Sequence, residues 1–417
     1  MTLSVPFGGA PQLPENSPPL PFLDEVIAKA QTGAALSGTD ALALLVTGPD
    51  AIDEICAAAS YVRDQGKGKT VTFSPKVFIP LTHLCRDFCG YCTFRKDPNQ
   101  AGKDLFMTPE QVLDVAKAGA ALGCTEALFT LGERPEQRYP EAKAWLEHRG
   151  FRTTLEYLTY VCHLVLEETS MLPHANPGTM ARREISALQP FNPSMGLMLE
   201  STSEELYGVG GPHEFAPSKR PRVRLRTLEV AGQLRVPFTT GILIGIGESR
   251  RDRIESLLAI ARLHAEFGHI QEVIVQNFRA KPDTAMGEFP DADMVEFLWT
   301  VAVARLILGP DVNLQVPPNL SAANYQIYLD AGINDWGGVS PLTIDFVNPE
   351  APWPALTELK TKTEAAGFQL RPRLPVYPEY FLHTKEFLPD ALHQKVIAIA
   401  DQEGYVKGGM QRYVNRN

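Results

Sequence analysis

The chain has 417 residues, of which 44% are hydrophobic and 21% charged, with a formal net charge of −10. This is an ordinary globular composition with room for one large or two ordinary domains, and it argues against a chain that wraps nucleic acid or rests on an anionic membrane, since both need clustered Lys and Arg. No run of about eighteen apolar residues occurs, so no membrane span is expected; six cysteines are too few for a disulfide scaffold and point to a reducing, cytoplasmic setting.

Residues 1–22 are rich in Pro and Gly and read as an extended arm, without the basic start and apolar core of a signal peptide. Three helices are expected next: Phe22 to Ala30, Gly38 to Val46, and a stretch that opens after Pro49 and ends near Gly66. With the arm they make an N-terminal extension over residues 1–70. Short apolar, β-branched runs then alternate with helical periods. Eight strand candidates begin near Val77, Glu126, Met171, Ser194, Phe238, Glu272, Val312 and Asp335. The first intervening helix has Thr108 as N-cap, Pro109 at its first position and Gln111 closing a capping box. A later one places Ile254, Leu257, Leu258, Ala261 and Ala265 on one stripe and stops at Gly268. Others are expected near residues 151–169, 179–189, 219–235, 291–308 and 321–331. Eight strands alternating with helices predict an α/β fold, a (β/α)8 TIM-type barrel over residues 71–350, with residues 351–417 as an extension packed on it. Cys56, Cys124 and Cys162 lie in apolar stretches and read as small buried hydrophobes.

The remaining cysteines sit together in "LTHLCRDFCGYCTF". Cys85, Cys89 and Cys92 are spaced C-x3-C-x2-C directly after the first strand, at the end of a barrel where active sites lie. Three thiolates within eight residues reach one centre, and soft thiolate ligands select zinc, copper(I) or iron–sulfur clusters. A structural zinc site usually needs a second Cys or His pair, and none follows; His83, two residues before Cys85, reads as a packing residue. A [4Fe–4S] cluster on three cysteines would leave one iron open for a substrate or cofactor.

C-x3-C-x2-C with Tyr91 before the last cysteine resembles the signature of radical S-adenosylmethionine (SAM) enzymes. That resemblance implies that the open iron chelates SAM and that the reduced cluster cleaves it to a hydrogen-abstracting 5'-deoxyadenosyl radical. It also implies SAM contacts at other strand ends. Gly132 and Glu133 in "TLGERPE" resemble the G-G-E motif at the SAM amino group, with Leu131 in place of the first glycine. Glu200 and Ser201 in "LMLES" fall where relatives hold the ribose, and Arg224 resembles the arginine that pairs with the SAM carboxylate, with Arg220, Arg222 and Arg226 nearby. Gly245 in "TTGILIGIGE" lies in the segment beside the adenine. A phosphate-loop reading of Gly241, Gly245 and Gly247 is set aside because no G-K-[ST] follows, and Glu248 reads as structural.

The stretches "FTLGERPE", "LPHANPG", "LMLES", "PFTTGILIGIGE", "VQNFRAKPDT", "VPPNLS" and "INDWGGVSPLT" together resemble FO synthase subunit 1, the CofG type. FO is the deazaflavin core of coenzyme F420. The resemblance implies a lyase that abstracts hydrogen from the adduct of a tyrosine-derived fragment and 5-amino-6-(D-ribitylamino)uracil, closing the ring with loss of ammonia. It implies a separate partner subunit of the CofH type that makes the adduct, and an electron donor such as ferredoxin or flavodoxin. Polar groups suited to the adduct are His174, Asn176, Gln276, Asn277, Arg279, Asn319 and Asp345. Three other readings remain open: a menaquinone-, biotin- or hydrogenase-maturation-like radical SAM enzyme, a structural zinc-binding protein, and a substrate-binding protein without turnover.

Overall fold

The structure, a computed structural model, describes residues 20–101, 105–321 and 324–414. The expected arm lies, up to residue 19, outside the described residues. All eight expected strands form: β1 (Thr70–Thr82), β2 (Glu126–Leu131), β3 (Leu172–Asn176), β4 (Ser194–Gly196), β5 (Phe238–Ile244), β6 (Ile270–Asn277), β7 (Asn313–Gln315) and β8 (Asp335–Val339). Each pairs in parallel with the next, and β1 pairs with both β8 and β2, so the sheet closes into a barrel. β1 starts seven residues before the expected run because it continues through Pro75. A proline lacks the N–H of a regular ladder, and Pro75 stands just past a shift of register, between Thr72 and Ser74, in the pairing of β1 with β8. The early part of β1 also carries an unexpected ninth strand, β9 (Gln369–Pro372), paired in parallel with Thr70 to Phe73.

The helices follow local signals closely. Thr108 accepts from the Gln111 amide and Gln111 accepts from that of Thr108, closing the expected box on helix Pro109–Ala121. Helices Leu23–Gln31, Gly38–Leu45 and Ile52–Lys67 form the N-terminal extension. The stripe on helix Arg250–Phe267 is different from the one expected. Ile254, Leu257, Ile260 and Leu263 are its buried face, whereas Leu258 and Ala261 are half-buried and Ala265 is exposed. The helix also buries Arg253, drawn inward by its ion pair with Glu248, and so rolls away from the expected stripe. The expected helix over 321–331 reduces to Ile327–Asp330, and helix Pro140–His148 was not expected. Cys56, Cys124 and Cys162 are buried thiols. Among the described residues no helix is long and apolar enough to cross a membrane.

The lower barrel is filled by charge rather than by aliphatic layers. Lys76 from β1 lies 2.7 Å from Glu126 of β2. Arg373, just past β9, reaches beneath the barrel to Asp335 at 2.7 Å and Glu272 at 2.6 Å. Tyr377 donates to Glu272 at 3.0 Å. Burial alone would raise the Glu126 carboxyl, but the adjacent Lys76 ammonium holds it down at about 2. Its pairing therefore contributes stability above the ordinary carboxyl range, near 4.5, and that stability is lost as pH falls toward 2. Replacing Arg373 by Met leaves Glu272 and Asp335 buried without their cation, which costs about 3–5 kcal/mol. Chemical denaturation at neutral pH is expected to show a loss of that order, and an unchanged midpoint would mean that the acids find other partners.

Candidate active site

The upper barrel opens into a cavity of roughly 360 Å³ at the C-terminal ends of the strands. Cys85, Cys89 and Cys92 all line it. Their loop leaves β1 and is tied down along its length by backbone hydrogen bonds. Gly132 N donates to Thr82 O at 3.0 Å, Arg86 N to Glu133 O at 2.8 Å, and Phe88 N to Phe215 O at 3.0 Å. Gly90 N donates to Pro212 O at 2.8 Å, and Met286 N to Gly90 O at 2.9 Å. The Glu133 amide also points at Cys85 Sγ, 3.1 Å away. The buried Asp87 accepts the Ser218 hydroxyl, joining the loop to the segment before helix Pro221–Gln233.

Charge on Cys92 and Cys85 adds to the upward push that burial exerts on the Cys89 thiol. Burial pushes the Cys85 thiol up to about 12 and Cys89 higher still. A half-buried trio of soft donors ionises when a cationic metal centre compensates the charge, so the donor set fits an iron–sulfur cluster. His83 is no fourth ligand: its ring packs on Phe94 at 4.5 Å, with Nδ1 2.9 Å from the Phe94 carbonyl oxygen.

Gly132 stands at the end of β2, where a Cβ would lie 1.9 Å from Leu84 O and 2.8 Å from Cys85 Cβ. The close approach that requires a glycine here is to the cysteine loop. Glu133 turns its buried carboxylate away to accept from the Thr179 amide at 3.0 Å and from the Thr179 hydroxyl at 2.5 Å.

Glu200 follows β4 with φ 68° and is buried. Its carboxylate pairs with Lys219 rather than with solvent. Burial raises its pKa, but Lys219 and then Arg224 outweigh this and hold it below the usual range. Arg224 is the one arginine of its run turned inward; Arg220, Arg222 and Arg226 are exposed. Its guanidinium donates to Ser218 O at 3.1 Å and to Met198 O, and it makes no ion pair among the described residues. A buried guanidinium held by carbonyls alone is prepared for a ligand carboxylate. The Tyr91 hydroxyl lies 2.9 Å from His213 Nε2, and burial pushes that imidazole down to about 3, so it is neutral.

Two expected contacts do not reach the cavity. Ser201 Oγ accepts from the Ser203 amide at 3.1 Å, inside its own loop. Gly245 has φ 95° and packs on Ala292, its amide donating to Glu248 at 2.9 Å; it shapes a turn outside the cavity lining. Glu248 is structural, as expected. Of the residues suited to an adduct, His174, Asn176, Gln276, Asn277, Arg279 and Asp345 line the cavity. Asn319 does not line it and instead donates to Asp345 at 3.0 Å and to Ala351 O at 3.1 Å.

Lys219, His213, Asp87 and Gln315 were not anticipated. No local pattern marks them: Lys219 sits in a cationic run that reads as solvated, and only the packing of residues 217–219 under the cysteine loop turns it inward.

Comparison with known proteins agrees with this geometry. A model of the radical SAM superfamily matches residues 79–260. FO synthase of Streptomyces coelicolor is 49% identical over 416 residues, covering 97% of this chain and 47% of that protein. The 7,8-didemethyl-8-hydroxy-5-deazariboflavin synthase of Methanopyrus kandleri is 52% identical over 337 residues, covering 81% of this chain and 100% of that protein. The chain thus spans about half the length of the FO synthases it matches. Among solved structures, the FeFe-hydrogenase maturase HydG from Carboxydothermus hydrogenoformans has a TM-score of 0.68 at 20% identity, covering 89% of this chain and 87% of that one. Methylornithine synthase (PylB) has a TM-score of 0.64 at 19% identity, covering 83% of this chain and 97% of that one. Both likenesses concern the fold.

Gly132→Ala is expected to unseat the cysteine loop while the barrel survives. Far-UV circular dichroism stays that of the wild type, and Cys85, Cys89 and Cys92 of the native apoprotein react faster with a maleimide. An unchanged rate would mean that Leu84 yields to the added carbon.

Proposed function

The chain belongs to the radical SAM superfamily and, within it, to the 7,8-didemethyl-8-hydroxy-5-deazariboflavin (FO) synthases, and from that premise we propose that it catalyses the radical ring closure of FO formation. The observation that carries this reading is the meeting, in one cavity, of three half-buried cysteines with a buried arginine that makes no ion pair among the described residues. Cys85, Cys89 and Cys92 would hold the [4Fe–4S] cluster, and Arg224 would receive the SAM carboxylate. Held there, the cluster would supply the electron for reductive cleavage of SAM and so the hydrogen-abstracting chemistry of the family. Glu200, fixed by Lys219, would accept from the ribose hydroxyls. Tyr91 and His213 form a neutral pair beside that position. The Gly132 and Glu133 backbone holds the loop, and Gly245 supports the turn behind the adenine side.

The substrate on this reading is the adduct of a tyrosine-derived fragment and 5-amino-6-(D-ribitylamino)uracil, and loss of ammonia accompanies ring closure, which makes the enzyme a lyase. A separate partner of the CofH type would make the adduct, and a carrier such as ferredoxin or flavodoxin would deliver the electron. The barrel of residues 71–350 holds the site, with Trp353 and Arg373 contributed from residues 351–417. A cytoplasmic location follows, since free thiols and such a cluster need reducing surroundings.

Reconstituted anaerobically with the partner, SAM, tyrosine and the pyrimidine, the protein is expected to yield FO together with 5'-deoxyadenosine. 5'-Deoxyadenosine without FO would point instead to another radical SAM substrate. Cys89→Ala is expected to remove the charge-transfer absorption of the cluster and SAM cleavage together. Stoichiometric zinc without sulfide in the wild type would overturn the radical mechanism.

A further inference from the structure

The cavity wall changes character around the barrel. Between the cysteine loop and the β8 side it is aromatic: Phe78 stacks on Trp353 at 5.1 Å with 12° between ring planes, and Phe94 lies close by. Along β3, β6 and β7 its polar lining is an imidazole and carboxamides, His174, Asn176, Gln276, Asn277 and Gln315, together with Glu272, whose carboxylate is already paired with Arg373. Two atoms on this polar arc have a hydrogen-bonding character that their neighbours determine.

The first is His174 Nε2. The Ser194 hydroxyl has one proton and donates it to the Pro375 carbonyl. Ser194 Oγ therefore accepts from His174 Nδ1, 2.7 Å away, and the imidazole proton sits on Nδ1. Burial pushes His174 down to about 4, so the ring is neutral at pH 7 and Nε2 carries a lone pair. Nε2 has no hydrogen-bond partner among the described residues. Gly196 keeps space beside it, since a Cβ there would lie 3.0 Å from Nε2. The second atom is Asn277 Oδ1. Its amide nitrogen donates to Leu320 O at 3.3 Å, which settles the orientation of the group. Oδ1 is then a buried acceptor without a partner among the described residues, on a residue that is 8% exposed. An orphaned buried acceptor is costly unless a ligand satisfies it.

We propose that His174 Nε2 and Asn277 Oδ1 are the acceptors that seat the N–H-bearing pyrimidinedione end of the substrate, leaving its phenol on the Phe78–Trp353 wall. This rests on the FO reading above, and it adds an orientation to it. The two ends of the adduct differ in what they offer. The pyrimidinedione carries ring and exocyclic N–H donors, whereas the phenol carries one hydroxyl and a flat apolar face. Two acceptors without donors select the first end, and stacked aromatic rings select the second. The carboxamides of Asn176, Gln276 and Gln315 supply both donors and acceptors for the ring carbonyls and the ribityl hydroxyls.

The test is calorimetric binding of 6-(D-ribitylamino)uracil to the reconstituted, SAM-loaded protein. His174→Ala and Asn277→Leu are each expected to weaken binding about tenfold, the scale of one unsatisfied buried hydrogen bond, while SAM affinity stays that of the wild type. His174→Gln, whose carboxamide reaches toward the Nε2 position, is expected to recover most of the loss. An analogue methylated at the ring nitrogens should bind wild type and His174→Ala alike. No binding to the wild type, unchanged affinity in both variants, or an equal loss for the methylated analogue would each overturn the subsite. The FO reading fails by a different signature: the wild type binds the probe and the variants weaken it, yet the supplied adduct yields 5'-deoxyadenosine and no FO.

Discussion

Leu84 O occupies the space where any side chain at residue 132 would begin. That one close approach lets the end of β2 lie against the cysteine loop, and the rest of the site is arranged around it. With the crossing in place, Glu133 N faces Cys85 Sγ and Arg86 N reaches Glu133 O, so strand end and loop form one layer. Asp87 then captures Ser218, which places Lys219 against Glu200 and leaves Arg224 braced on the Ser218 and Met198 carbonyls. A backbone contact, rather than a charge, sets the order in which the polar groups meet.

The barrel manages its charge in two tiers. Below, Lys76 and Arg373 neutralise Glu126, Glu272 and Asp335 internally, so these groups are largely satisfied before any ligand arrives. Above, Arg224, His174 Nε2 and Asn277 Oδ1 have incomplete partners and face the cavity. A closed lower tier makes a rigid support, and an open upper tier makes a receptor. On the proposed function, such a division would bring a reactive species to one hydrogen and keep it from solvent. It also explains why residues 351–417 matter to the site: Arg373 closes the lower tier and Trp353 completes the aromatic wall.

Much of this was legible along the chain. Alternating apolar runs and helical periods carried all eight strands, and the Thr108 box and the Gly268 stop marked helix ends because capping depends on a few neighbouring residues. The three cysteines were legible for the same reason, since their spacing lies within one loop. What local pattern leaves out has a common cause. Ala265 falls on the expected stripe, but its helix buries a face that includes Arg253, paired with Glu248. Gly132 carries a constraint that its motif does not show, the close approach of Leu84 O. Ser201 and Gly245 stand at the expected strand ends, with hydrogen bonds inside their own loops.

The sequence by itself determined the barrel, the cysteine loop and the family, because periodicity, capping and ligand spacing are all local. Only the tertiary structure decided which of four neighbouring arginines enters the site, that Lys219 rather than solvent meets Glu200, and that Arg373 closes the barrel from beyond its last strand. Those choices depend on burial and on partners tens to hundreds of residues away along the chain. The direction in which a charged side chain points is set by the cost of leaving it unpaired, and that cost exists only once the barrel has closed around it.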